Sequence, residues 1–236
     1  EAGTRTREGT GTCLLPMEST WHIGIDLGGT KIEAVVGRPH GKGFGTVWRK
    51  RVPTERERGY EHIVGATAAL ARAAASAVDA RIEEVHVGVG MPGHVTRREG
   101  VVKNSNTTCL IGRPFRDDLS RALGRPVAFD NDANCFALAE TLLGAAKAHR
   151  DGVVFGVILG TGVGGGVVFR GEVWPGPQGI AGEWGHHAVF HGADREAGPA
   201  SRPCYCGQRG CVEAYLRGPA LDGDYAERSG PCLSLA

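Results

Sequence analysis

The spacing of apolar positions changes several times along the chain, and each change predicts an element. Between Trp21 and Leu27 apolar residues alternate with polar or small ones (Trp21, Ile23, Ile25, Leu27), the period of a strand. Gly28-Gly29-Thr30 interrupts that run, a second strand is expected over Lys31–Gly37, and a turn at Pro39–Gly43 leads to a third over Phe44–Val52. The alanine-rich stretch Tyr60–Val78 has helical periodicity, and Val85–Gly90 reads as a short buried strand ending in Met91-Pro92-Gly93. A helix is expected over Pro114–Leu123, a short strand over Pro126–Phe129, and a helix from near Asp130 to about Ala148. The Asp- and Asn-rich first turn of that last helix is a capping composition, with Asp130 the expected cap. From Asp151 to Phe169 the opening scheme returns as strand, glycine-rich turn, strand. Past Trp174 the chain reads as loop, with a short helix over Val212–Leu216, and after Gly218 no closing element is expected.

Composition narrows the partners. The 27 basic and 26 acidic residues nearly cancel, which leaves no basic footprint for nucleic acid and no polybasic membrane patch. No apolar run approaches the roughly 20 residues that span a bilayer. Glu1–Thr20 reads as a disordered arm without the pattern of a signal peptide, and Met17 is the expected natural start, so the expected location is the cytoplasm. The 38 glycines fall in bursts between apolar runs, where backbone must come close to a neighbour or a ligand. Of seven cysteines, Cys204, Cys206 and Cys211 cluster and the rest are scattered, which favours one metal site over a disulfide framework.

Four constellations carry chemistry. Asp26-Leu27-Gly28-Gly29-Thr30-Lys31 puts two glycines, a hydroxyl and an ammonium at a strand end, where backbone N–H groups can approach phosphate and Asp26 can hold Mg²⁺ through water. An isolated Gly-Gly hairpin is ordinarily a plain turn. A second such turn, Gly160-Thr161-Gly162-Val163-Gly164-Gly165-Gly166, is followed by a strand and fits neither the P-loop nor the dinucleotide pattern. Together the two turns could grip one nucleotide from opposite sides. Asp130-Asn131-Asp132-Ala133-Asn134 holds more carboxylate and amide than a cap needs. Asp132 is the expected base for a substrate hydroxyl, with Asn131 as a sugar partner. Cys204-x-Cys206-x4-Cys211 with His186 or its neighbour His187 upstream supplies the ligand set of a closed zinc site, beside which Glu183 and Glu213 are placed to meet sugar hydroxyls.

Taken together these residues resemble the ROK family (repressors, open reading frames, kinases) over about Trp21 to Gly218. Asp26–Lys31 is similar to its first phosphate motif, Leu159–Gly166 to its second and Asn131-Asp132 to its catalytic pair. Glu183-Trp184-Gly185-His186 with Cys204-Tyr205-Cys206-Gly207-Gln208-Arg209-Gly210-Cys211-Val212-Glu213 is similar to its zinc and sugar signature. The resemblance implies an actin/hexokinase-like (ribonuclease H-like) two-domain α/β fold. An N-terminal domain would span 21–130 and a C-terminal domain, truncated by comparison with the family, 131–236. It implies ATP-dependent phosphorylation of a hexose with Mg²⁺, a structural zinc held by His186 and the three cysteines, and a homodimer. Asn131, Glu183, His186, Glu213, Gly93 and Asn106 would line the sugar pocket. Within the family the wording looks most like fructokinases and mannokinases, with N-acetylglucosamine kinases close behind. The family also contains sugar-responsive repressors, whose winged-helix domain would precede the first strand, where no helix-turn-helix pattern is seen. A non-catalytic sugar-binding remnant is the other alternative.

Overall fold

The structure, a computed structural model, describes residues 20–41, 43–96, 98–189 and 202–229. The expected arm lies outside these residues, apart from its last position. A five-stranded sheet is built from β1 (His22–Leu27), β2 (Lys31–His40), β3 (Gly43–Pro53), β4 (His86–Met91) and β7 (Ala128–Asn131), in the order β3-β2-β1-β4-β7. The first three strands form an antiparallel meander, and β4 and β7 add in parallel on the far side of β1. Alternation in β1 decides which face is covered. Ile23, Ile25 and Leu27 are buried with Ile32, Ala34 and Val36 of β2, while Asp26 and Glu33 face the other way. Helix α1 (Tyr60–Ser76) buries Ile63, Thr67, Leu70, Ala71 and Ala74 against that apolar face, and its alanines let it lie close. Helix α2 (Phe115–Leu123) adds Phe115, Leu119 and Leu123, and ends at Gly124 in the left-handed conformation, with Arg125 N–H returning to the Ser120 carbonyl. Between β4 and α2 a small ribbon pairs β5 (His94–Val95) with β6 (Val102–Lys103).

Helix α3 (Asp132–Leu142) leaves β7 directly and packs on a second, antiparallel sheet of β8 (Val153–Leu159), β9 (Val163–Phe169) and β10 (Glu172–Val173), ordered β10-β9-β8. The fit is at backbone distance. A Cβ on Gly166 would come within 2.7 Å of the Ala133 carbonyl, and one on Gly156 within 2.6 Å of Ala137 Cβ. Strand β8 is an edge whose outward residues Val153, Phe155, Val157 and Leu159 are 41–67% exposed, so one apolar face stands open among the described residues. Two further helices close the described chain: α4 (Glu213–Leu216) and α5 (Gly218–Ser229).

Three expectations are corrected. The helix expected to reach Ala148 ends at Leu142. The Glu140 carboxylate accepts from the Ala145 N–H past its end, and only a 3-10 turn follows at Lys147–His149. The cap of α3 is Asn131 rather than Asp130. Asn131 Oδ1 accepts from the Ala133 and Asn134 N–H groups, while Asp130 Oδ1 accepts from Asn131 N–H and the Asn134 amide. Helix α5 was not expected, because its few apolar residues set no clear period. It is held instead by polar contacts, Gly218 N–H to the Gly160 carbonyl at 2.7 Å and Arg202 to Asp224 at 2.5 Å.

Candidate active site

The first glycine turn joins β1 to β2 tightly: Gly28 N–H donates to the Lys31 carbonyl at 2.9 Å. Its outer side is clasped by Thr54, just past the end of β3. The Thr54 hydroxyl, fully buried, donates to the Gly28 carbonyl at 2.7 Å, and its N–H donates to Thr30 O at 3.0 Å. Asn106 reaches the same turn, its Oδ1 lying 3.3 Å from where a Cβ on Gly29 would be. A side chain at Gly29 would therefore displace polar groups, and a ligand atom there would meet them.

The second turn is Gly160-Thr161-Gly162, closed by Gly160 N–H to the Gly162 carbonyl at 2.9 Å. The buried Glu213 carboxylate, from the first turn of α4, accepts from Val163 N–H at 3.0 Å. Gly164 and Gly165 lie beyond the turn, inside β9. A Cβ on Gly164 would touch Ala133, and one on Gly165 would fall 2.8 Å from the Gly182 carbonyl, so their bareness serves packing. Trp184 fixes the neighbouring loop by donating its indole N–H to the Gly164 carbonyl at 2.9 Å.

Asp132 occupies the first helical position of α3, between the two turns. Burial raises its pKa, the Ala133 N–H works against that shift, and the Asp26 carboxylate adds to it. Asp26 is itself raised by burial, with Lys31 opposing. Glu183 is raised by burial and by the charges of Asp132 and Glu213. Four carboxylates therefore feel one another across the space between the two sheets, an arrangement that favours a proton acceptor and needs a cation when all are ionised. Asn131 ties the cluster down. Its Nδ2 donates to the Gly93 carbonyl at 3.0 Å and to Glu183 Oε1 at 3.2 Å, so both ends of this amide are engaged within the protein. Gly93 sits at φ 88°, and a Cβ there would lie 2.9 Å from Ser105 N and run into the Lys103 carbonyl. Gly93→Ala is expected to destabilise the fold by roughly 2–3 kcal/mol in denaturant unfolding, through the left-handed backbone and the clash together. A change under about 0.5 kcal/mol would show that this contact is not structural. An open cavity of about 840 Å³ runs along the outer face of the five-stranded sheet and meets the site only at Asp26, Asp130 and Asp132.

His186, Cys204, Cys206 and Cys211 come together with their donor atoms within 4.8 Å of one another. His186 Nδ1 is 3.5 Å from Cys204 Sγ, and Cys206 Sγ is 3.7 Å from Cys211 Sγ. Tetrahedral zinc with ordinary bond lengths has edges of about 3.6 Å between nitrogen and sulfur and about 3.8 Å between sulfurs. The donor set fits such an ion. His187 is not in the cluster, so geometry agrees with the ligand that the resemblance implied. The cluster shares a wall with the carboxylates: burial first, then Glu213, pushes Tyr205 up to about 12, and the Tyr205 hydroxyl lies 3.1 Å from His186 Nε2.

Of the residues expected from sequence, Asp26, Gly28, Gly29, Thr30, Asn106, Asn131, Asp132, Glu183, Glu213 and the four metal candidates converge on this region. Gly164 and Gly165 do not present a turn to it. Thr54 and Trp184 were not foreseen. The side chain of each donates to a glycine carbonyl distant in sequence, which leaves no local pattern to read.

Two sheets meeting at a carboxylate cluster, with a glycine turn on each, agree with the actin/hexokinase-like fold of the solved ROK kinases that the chain resembles. The chain belongs to the ROK family, whose model matches residues 22–233. It is 39% identical over 215 residues to an N-acetyl-D-glucosamine kinase of Pectobacterium atrosepticum, covering 90% of this chain and 67% of that one. It is 37% identical to the corresponding kinase of Yersinia pestis, covering 87% and 77%. Among solved structures it is similar to a ROK hexokinase from Thermus thermophilus (35% identity, TM-score 0.66, 91% of this chain and 66% of that one). A ROK family glucokinase from Streptomyces griseus, solved with glucose and AMPPNP, is similar at 32% identity and TM-score 0.70, covering 89% and 62%. The chain thus spans about two thirds of the length of most of these relatives.

Proposed function

We propose that this chain carries the phosphoryl-transfer site of an ATP-dependent sugar kinase, with N-acetyl-D-glucosamine the first substrate to test. The observation that carries the reading is Asp132, a carboxylate of raised pKa at the start of α3, between two glycine turns and beside Glu183. Asp132 accepts the proton of the sugar hydroxyl as that oxygen attacks the γ-phosphate in line. The N–H groups of the Gly28-Gly29-Thr30 and Gly160-Thr161-Gly162 turns, with Lys31, receive phosphate oxygens and charge that develops on them. Glu183, Glu213 and Asn106 would order the sugar, and Asn131 donates to Glu183. Bound Mg²⁺ would neutralise the polyphosphate, with Asp26 the residue to hold it through water. Zinc in the His186–Cys204–Cys206–Cys211 cluster would stiffen the wall that carries Glu213. The two sheets would form the halves of one cleft, dividing at Asp130–Asn131.

The N-acetylglucosamine preference rests on the relatives of 37–40% identity that bear that activity in their names. It replaces fructose and mannose as first choice. Glucose is the second reading, because the Thermus and Streptomyces structures are a hexokinase and a glucokinase. An ATP-consumption assay on the 236-residue chain against N-acetylglucosamine, glucose, mannose and fructose tests this. N-acetylglucosamine is expected to give the highest kcat/KM. No sugar-dependent ATP consumption with any of them would sink the kinase reading for this chain.

A further inference from the structure

Arg56 is exposed in sequence and in space, and neither the family motifs nor the carboxylate cluster uses it. Its guanidinium nevertheless lies on the first glycine turn. Nη1 is 3.8 Å from where a Cβ on Gly29 would sit, on the side shared with Asn106 Oδ1 and Thr107 Oγ1. Three neighbouring features put it there. Thr54, two residues earlier, is anchored to the turn by its hydroxyl and its N–H. Glu55 then takes a left-handed backbone conformation (φ 46°, ψ 49°), uncommon for a residue with a side chain, directly before Arg56. Finally, the Glu55 carboxylate is engaged elsewhere, pairing with Arg58 at 2.8 Å and facing His62 Nε2 at 3.0 Å. Among the described residues no carboxylate lies within salt-bridge distance of the Arg56 guanidinium. An arginine free of an acidic partner, held by a strained backbone against a bare glycine turn, is suited to an anion that enters that turn.

We propose that Arg56 is a phosphate-binding residue for the nucleotide substrate, reaching over Gly29 to the terminal phosphates. This rests on the kinase reading of the same site, and it adds a cation to a turn otherwise served by backbone N–H groups, Thr30 and Lys31. The guanidinium forms a fork on two phosphate oxygens at that turn. Its contribution goes to holding the nucleotide, so it should alter KM for MgATP and leave KM for the sugar in place.

The test compares the parent chain with Arg56→Gln and Arg56→Lys, by calorimetric binding of MgAMPPNP and of tripolyphosphate, alongside steady-state kinetics. Arg56→Gln is expected to weaken both ligands about tenfold. Lysine should recover part of that loss, because it keeps the charge and loses the fork. Sugar KM and unfolding temperature should stay close to those of the parent. Unchanged affinity for both ligands in Arg56→Gln, with a parent that binds them, overturns the proposal and leaves the kinase reading intact. So does a rise in sugar KM with no change for the nucleotide. A parent that binds MgAMPPNP through Arg56 yet transfers no phosphate removes the kinase reading and keeps this one. If the parent binds neither ligand, both fall.

Discussion

Asp132→Asn is expected to lower kcat by roughly 10²–10⁴-fold, the range a positioned general base contributes, while sugar affinity stays within a few-fold of the parent. The substitution is conservative for the fold. Asp132 Oδ1 accepts from its neighbour Ala133 N–H at 2.8 Å, which an amide oxygen can also do, and Asn131 Oδ1 already caps the same group. What disappears is the proton acceptor. Single-turnover measurements with equilibrium sugar binding separate the two effects, and full turnover in the variant would refute the assignment of the base.

The same variant has a signature in stability. Asp132, Asp26 and Glu183 all have pKa values raised in the folded protein, by burial first and then by a neighbouring carboxylate, which is Asp26 for Asp132, Glu33 for Asp26, and Asp132 with Glu213 for Glu183. A carboxyl whose folded pKa is raised contributes stability that is complete below its unfolded value and lost as pH rises through the folded one. At neutral pH the ionised cluster therefore costs stability. Asp132→Asn should unfold a few degrees higher than the parent near pH 7, and the gap should close as pH falls below the raised carboxyl values. Activity of the parent moves the other way along the same axis. It should fall as pH drops through the raised Asp132 value, giving an acid limb at higher pH than an unperturbed aspartate would give. A variant less stable than the parent at pH 7 would show that the Asp132 charge is satisfied in the fold.

How far the sequence carried this site depends on how local each signal is. The first turn was legible because alternation over Trp21–Leu27 fixed a strand, and Asp26 with Gly28 and Gly29 at its end put a carboxylate and a bare backbone together. The cysteine cluster was legible because three thiols within eight positions leave few other readings, and the structure brings His186, distant in sequence, to them. The cap at the start of α3 was misassigned because Asp130, Asn131 and Asp132 are all good caps by type. Only the β7 register, which pairs Gly90 with Asp130 and Met91 with Asn131, decides which side chain points along the helix axis. Gly164 and Gly165 read as phosphate contacts because a glycine run says that something comes close without saying what. Here α3, the Gly182 carbonyl and Phe155 do. Thr54 and Arg56 reach Gly28 and Gly29 across more than 25 positions, and contacts of that range have no signature in a single sequence.

Removing one candidate zinc ligand should be felt at both substrates, because the chain that leaves the cluster ties to the second turn. Cys211 is buried, Glu213 stands two residues on, and Gly218 donates its N–H to the Gly160 carbonyl. Between them Val212 and Glu213 tie back through their N–H groups to the carbonyls of His187 and Gly185 at 2.9 and 2.8 Å. Glu213 then reaches Val163 N–H beside the Gly160-Thr161-Gly162 turn with its own carboxylate. With an ion bound, the thiols would be thiolates held at fixed edges. Without one, burial and the neighbouring thiols push the Cys211 pKa up to about 12, and only weak thiol and imidazole contacts join the four donors. Cys211→Ser should therefore drop metal content from about one zinc per chain to near zero, since a closed tetrahedral site tolerates loss of a thiolate poorly. Sugar KM should rise about tenfold or more through Glu213, in line with the loss caused by disturbing the shell around a metal. MgATP KM should rise as well, by a smaller factor, through the Gly160 and Val163 contacts, with a lower unfolding temperature. A chelator added to the parent should reproduce all three changes, and zinc should reverse them in the parent but not in Cys211→Ser. If folded parent protein contains no stoichiometric zinc, or if the variant retains it with unaltered sugar KM, the cluster does not hold the ion that orders this wall.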